Sequence, residues 1–231
     1  MDFIFESLIK ALELIFSVDP EVYVTVWVSL YVSFIAIILA TLIGIPAGLI
    51  IGTAQFPGKR VVITLLNTLM ALPTVVVGLV VYGFLSRMGP LGSWGLLFTP
   101  WAMVIGQVIL AVPIIANYTL GALSAADPRI MPTALTLGAS QMQGSMQLLQ
   151  EIRFGAMAAV IAGFGRVIAE VGVAMMLGGN IRGYTRTMTT AIALETSKGE
   201  FAFGLALGVF LLGVALLVNL FLNLLQQRYK P

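Results

Sequence analysis

Neither cysteine nor histidine occurs in this chain, and their absence removes a large part of protein chemistry at once. Without thiols there is no disulfide framework, thiolate metal site or cysteine nucleophile; without imidazole the commonest general base and zinc ligand is missing too. Charge is also scarce: Asp, Glu, Lys and Arg supply 10% of residues, against about a quarter in an ordinary soluble domain. The formal net charge is only +2 and the basic residues are scattered, which excludes the clustered basic face of a nucleic-acid binder. No Gly-x-x-x-x-Gly-Lys-Ser/Thr loop is present, so the chain does not hold ATP in that cradle. The first residues, with acidic Asp2 and Glu6, lack the basic start and small-residue cleavage site of a secretory signal, and Met1 is expected to belong to the mature chain.

What remains is apolar. Hydrophobic residues make up 59% of the chain and the mean hydropathy is +1.04, so the membrane is its solvent. A spanning helix needs about 20 mostly apolar residues. Tyr23–Ile51, Val61–Leu85, Trp101–Leu123, Ala156–Leu177 and Phe201–Leu225 meet that demand, which predicts an all-α polytopic membrane protein with five transmembrane helices. Ahead of them Asp2, Glu6, Lys10 and Glu13 share one helical face, with Phe3, Phe5, Leu8, Ile9, Leu12 and Phe16 over much of the rest. That pattern fits a helix lying in the interface, and equally a terminal helix packed on a neighbour; Asp19-Pro20 ends it either way. Lys59-Arg60 and the tail cations Arg228 and Lys230 flank spans closely, so the positive-inside rule puts both in the cytoplasm and the N-terminus outside. The Leu123–Arg153 connection is then cytoplasmic and Gly178–Glu200 external. Pro46, Pro73 and Pro113 are expected to kink their spans. No internal repeat is visible, and residues 1–231 read as one transmembrane domain.

Two polar stretches interrupt this apolar background. Arg166 and Glu170 stand four residues apart on one helix face and are able to pair. A lone charge at the bilayer centre costs at least about 2.5–3.5 kcal/mol, so an inward orientation and a partner are expected. Ala162, Gly165, Ala169 and Gly172 beside them form a small-residue stripe that lets another helix approach closely. The pair is either a clamp between helices or a contact for a permeating ion; the clamp is favoured, because a glutamate facing an anion would repel it. The other stretch is the long Leu123–Arg153 connection, where Asp127-Pro128 followed by Ile130, Leu135 and Leu137 predicts a short helix. Unaided, that helix could simply cap the bundle.

Thr133-Ala134-x-x-x-Gly138-Ala139-Ser140 resembles the Glu-Ala-Ala-x-x-x-Gly loop of binding-protein-dependent ABC importer permeases. Leu72-Pro73-Thr74-Val75-Val76-Val77-Gly78 with Gly89-Pro90-Leu91-Gly92, Arg166-x-x-x-Glu170-x-Gly172, and Gly179-Asn180-Ile181-x-Gly183-x-Thr185-x-Thr187 are similar to the molybdate, tungstate and sulfate branch of that family. The wording of Gly178-Gly179-Asn180-Ile181, Thr185-Arg186-x-Met188-Thr189-Thr190 and Leu194-Glu195-Thr196-Ser197-Lys198-Gly199 is nearest to its tungstate permeases. The chain departs from the family pattern at Pro132 and Thr133, which stand where the loop glutamate and first alanine fall, and at Leu148-Leu149-Gln150-Glu151 downstream.

The resemblance implies a MetI-like permease fold in a prokaryotic plasma (inner) membrane, working as a homodimer among membrane lipids and binding no nucleic acid. It implies no catalysis and no cofactor on this chain, with ATP and Mg on a cytoplasmic ABC ATPase dimer and recognition by an extracytoplasmic oxyanion-binding protein. Thr133, Ala134, Gly138, Ala139 and Ser140 would form the ATPase-coupling helix. Gly178–Thr190 would be an external gate: Asn180, Arg182, Thr185, Arg186 and Thr187 offer an amide, hydroxyls and guanidinium groups, which suit a tetrahedral oxyanion. The bland alternative is a plain external loop. The expected function is import of tungstate, or of molybdate or sulfate, by alternating access. A stand-alone secondary anion transporter would call for relay carboxylates or inverted repeats, and an intramembrane enzyme for clustered acids or a metal site; the sequence offers neither.

Overall fold

The computed structural model describes residues 2–228, apart from the side chains of 2, 3, 219, 222, 223 and 225–228. The side chains of Asp2, Phe3, Leu225 and Arg228, and the whole of Lys230, therefore lie outside the described residues. The helices are α1 (Asp2–Phe16), α2 (Pro20–Thr53), α3 (Lys59–Met70), α4 (Thr74–Leu85), α5 (Pro100–Ser124), α6 (Ile130–Thr136), α7 (Gln141–Glu151), α8 (Arg153–Ile168), α9 (Gly172–Gly178), α10 (Met188–Lys198) and α11 (Phe201–Arg228), with a 3-10 turn at Gly92–Trp94. No strand occurs among the described residues.

The helix ends follow local chemistry. Asp19 Oδ1 accepts from the N–H groups of Glu21 (2.9 Å) and Val22 (3.1 Å), and Pro20 fills the first helical position, where its missing N–H is harmless. At the far end of α2, Lys59 Nζ donates to the carbonyls of Gly52 (2.8 Å) and Ala54 (3.0 Å), placing a cation on the helix C-terminus.

Helices α2 and α5, and the Phe201–Val218 part of α11, are each long and apolar enough to cross a membrane. The other two predicted stretches are helix pairs, α3 with α4 and α8 with α9, each bent by more than 40° at a short break. Pro73 explains the first break: it sits in extended backbone ahead of α4 and disfavours helix in the residue before it. Pro46 and Pro113, by contrast, lie inside helices that continue through them.

The described residues group into two compact units, one made of residues 2–36, 73–107 and 165–228, the other of 37–72 and 108–164. Within the first, α4 packs on α9: a Cβ added at Gly172 would lie 2.8 Å from Thr74 Oγ1, and one at Gly78 3.0 Å from Met176 Sδ. Helix α1 packs on α11, burying the small residues Ser7 and Ala11 while Phe5, Ile9 and Phe16 stay exposed. It is thus seated on a neighbour and still presents an apolar face outward. Within the second unit, α2 meets α5 across Gly44, Gly48 and Gly52. Added Cβ atoms there would fall 2.8 Å from Ile115 Cβ, 2.6 Å from the Ala116 carbonyl and 2.6 Å from Leu123 Cδ1. This spacing of four brings two backbones together through small residues.

Candidate functional site

Two polar centres stand out, one in each unit. In the first, the break between α8 and α9 is built around Glu170. Its Oε2 accepts from Arg166 Nη1 at 2.9 Å and its Oε1 from the Val173 N–H at 3.1 Å, so the carboxylate serves a cation on α8 and the opening turn of α9 together. Its backbone carbonyl accepts from Thr189 Oγ1 at 2.7 Å, tying the start of α10 to the same point. The Glu170 side chain is 2% exposed and that of Arg166 37%. Gly165 and Ala169, on the small-residue stripe, are exposed.

Beyond α9 the chain turns through consecutive left-handed residues, Gly179 at φ +70° and Asn180 at φ +51°. Thr185 closes this turn: its buried hydroxyl donates to the Gly178 carbonyl and accepts from the Ile181 N–H. Asn180 Oδ1 accepts from Thr190 Oγ1 at 2.9 Å. Thr187 caps α10 in a reciprocal box with Thr190, which satisfies two N–H groups that a helix start leaves open.

Arg186 is buried and paired twice, its Nη1 lying 2.9 Å from Glu21 Oε1 and 3.2 Å from Glu195 Oε1. Arg182 reaches Glu21 at 2.7 Å, and Lys198 reaches Glu195 at 3.0 Å. Five charges thus form one network around Arg186, whose Nε has no hydrogen-bond partner among the described residues. Of the residues expected at an external gate, Arg182 alone has a largely open side chain, at 65% exposure. Thr185, Arg186 and Thr187 are buried, and Asn180 is half-buried.

The two acids of this network were not singled out by the sequence reading. Glu195 had a signal, since its spacing of three from Lys198 on a helix permits a pair. Glu21, distant along the chain, had none.

In the second unit α6 and α7 form an elbow. Gly138, at φ +87°, sits just past the end of α6: its N–H donates to Leu135 O and that of Ala139 to Ala134 O, both at 3.0 Å. That bond pair is the usual helix stop built on a left-handed glycine. Ser140 then starts α7 in a capping box with Gln143. Gly138-Ala139-Ser140 is thus a stop followed at once by a start.

The elbow leaves Leu137 83%, Met142 74% and Met146 52% exposed. Thr133, Gly138 and Ser140 are exposed beside them, and Ala134 and Ala139 half-buried. Ahead of α6, Asp127 and Arg129 pair at 2.8 Å. The Arg129 guanidinium, helped by its backbone N–H, holds the Asp127 carboxyl below the usual carboxylate range, and Asp127 in turn raises Arg129.

Apolar spans, two of them broken, with polar centres at a helix break and an exposed elbow, define a multi-pass helical membrane protein. The chain belongs to the family described as binding-protein-dependent transport system inner membrane component, which it matches over residues 44–231. It is 38% identical over 227 residues to the tungstate uptake system permease protein TupB of Peptoclostridium acidaminophilum, covering 98% of this chain and 100% of that one. It is 43% identical over 197 residues to a probable anion ABC transporter permease protein of Haloferax volcanii, covering 83% and 85%. Its fold is similar to that of a chain in an inward-facing MetNI methionine ABC transporter, with a TM-score of 0.74 at 18% identity over 92% of this chain and 99% of that one. The fold is the MetI-like permease fold, and the chain is a transport subunit rather than an enzyme.

Proposed function

We propose that this chain is the membrane-spanning subunit of an ATP-driven importer of a tetrahedral oxyanion, tungstate, and that it works as a homodimer. Its partners are a pair of cytoplasmic ATPase subunits, which hold ATP and Mg, and an extracytoplasmic binding protein that delivers the ion. The observation that carries this reading is the elbow of α6 and α7. Large apolar side chains stand exposed on a connection between spans, where water rather than lipid is the surrounding medium. Leu137, Met142 and Met146 are suited to a groove on a partner protein, with Gly138 setting the bend that presents them. The likeness to a tungstate uptake permease over its full length supports the cargo.

Thr133, Ala134, Gly138, Ala139 and Ser140 then transmit movement. Closure of the ATPase pair around nucleotide shifts the elbows of the two copies, and the pore opens outward; release of the hydrolysis products returns it inward. Arg166 and Glu170 clamp α8 to α9. Asn180, Thr185, Arg186 and Thr187 hold the external turn in shape, and the open guanidinium of Arg182 gives the ion its first favourable contact. The N-terminus lies outside and the elbow in the cytoplasm.

Co-expression with the candidate ATPase and binding protein tests the assignment. A complex that survives purification and hydrolyses ATP faster with tungstate-loaded binding protein is expected. Failure of the ATPase to associate would overturn it.

A further inference from the structure

Helix α3 carries a polar arc that neither the elbow nor the external turn accounts for. At 100° per residue, Arg60, Thr64, Asn67 and Thr68 fall on one side of it, and all four are exposed. A second arc faces α5: Lys59 and Ile63 line a cavity with Leu123 and Ser124, and Asn117 Nδ2 donates to Asn67 Oδ1 at 2.7 Å. A third arc, Val61, Leu65 and Leu69, is apolar and exposed, as lipid requires.

These contacts also give the depth. The first turn of α3 lies beside the end of α5, and Asn67 beside Asn117, seven residues back along that spanning helix. At 1.5 Å per residue Asn67 is about 10 Å further in than Ser124. A polar side chain exposed at such depth is not tolerated by hydrocarbon and belongs against protein or water.

Asn67 is the telling group. Its Oδ1 is used by Asn117, and its amide nitrogen makes no hydrogen bond among the described residues. Thr64 and Thr68 give their protons to the carbonyls of Arg60 and Thr64, each at 2.9 Å. The arc is therefore wettable, with its free donors confined to the Arg60 guanidinium at the mouth and the Asn67 amide about two turns deeper. Spaced, weak donors of this kind pass an oxyanion on, whereas a tight cluster of cations would trap it.

We propose that the Arg60, Thr64, Asn67 and Thr68 arc is the wall of a water-filled path through the cytoplasmic half of the membrane, along which the oxyanion leaves. The assignment rests on the importer reading above for its cargo and direction, but not for the presence of water.

The natural absence of cysteine makes the test direct. Single variants Thr64→Cys, Asn67→Cys and Thr68→Cys, with Leu65→Cys and Leu69→Cys for comparison, are reconstituted in the complete importer. Each is treated with a membrane-impermeant anionic methanethiosulfonate, which needs a hydrated thiolate. The polar-arc cysteines are expected to react at least about tenfold faster than the apolar-arc ones, and tungstate supplied during turnover is expected to slow Asn67→Cys. Equal rates on both arcs would overturn the path, as would disulfide formation between two copies at these positions without labelling. If Asn67→Cys does not fold, the other two positions carry the comparison. Arc-selective labelling with no ATPase association would leave the path standing and remove the importer, while normal uptake with an inert polar arc would do the reverse.

Discussion

Replacing Arg166 with Met should harm the protein more than replacing Glu170 with Gln, although both break the same ion pair. The reason is the difference in burial. Glu170 is 2% exposed, and without Arg166 the Val173 N–H is its one remaining side-chain donor among the described residues. Losing one member of a buried pair costs about 3–5 kcal/mol. Arg166 is 37% exposed, so water already screens part of the attraction and the lower end, about 3 kcal/mol, is the fair figure. At about 2–4 °C per kcal/mol for a chain of this size, melting should fall by roughly 6–12 °C.

Glu170→Gln keeps an acceptor for Val173 and leaves Arg166 facing water, a loss of about 1 kcal/mol. The double variant has no buried charge to satisfy and should lie near Glu170→Gln, which implies a coupling of about 2–3 kcal/mol. Thermal unfolding of the detergent-purified protein, followed by near-UV circular dichroism, measures all three. Equal losses in the two single variants, or a double variant equal to their sum, would refute the clamp.

Leu137→Asp, at an 83% exposed position, should leave the fold intact and detach the ATPase, read by co-purification at unchanged melting temperature. Gly48→Ala places a methyl 2.6 Å from the Ala116 carbonyl and should destabilise the α2–α5 contact, whereas Gly165→Leu meets no atom within 4 Å of its first carbon. Unaltered protomer melting with loss of dimer mass for Gly165→Leu would identify the stripe as the contact between copies. Arg129 depresses the Asp127 pKa, so the order it lends to the start of α6 is present above the usual carboxylate range and lost as pH falls through the lowered value. An Asp127 carboxyl resonance that shifts to higher pH in Arg129→Met is the expected signature.

The spans were legible in the sequence because a bilayer imposes a length and an apolarity that composition alone reveals. Pro73 gave away the break between α3 and α4, because it disfavours helix in the residue before it, although Pro46 and Pro113 show that the same residue can sit inside a continuous helix. The break after Ile168 carries no such signal; it is made by the Glu170 carboxylate and by a threonine on α10, and tertiary bonds of that kind have no local pattern. The elbow was half legible. A left-handed glycine and a capping serine are sequence signals, and they turn the one short helix expected there into two. Arg182 and Arg186 looked alike on paper and both reach Glu21, yet the first stays open and the second is buried between Glu21 and Glu195, a difference that their own spacing does not carry. The polar arc of α3 was readable all along in the spacing of Arg60, Thr64, Asn67 and Thr68, but its meaning needed the depth that Asn117 supplies.

Uptake by the reconstituted complex is the most direct test of the central claim. Proteoliposomes containing this chain and its ATPase, with ATP inside and binding protein outside, should accumulate tungstate. Accumulation should require both ATP and the binding protein, and Leu137→Asp should abolish it. Tungstate entry that persists without ATP or without the binding protein would contradict the account.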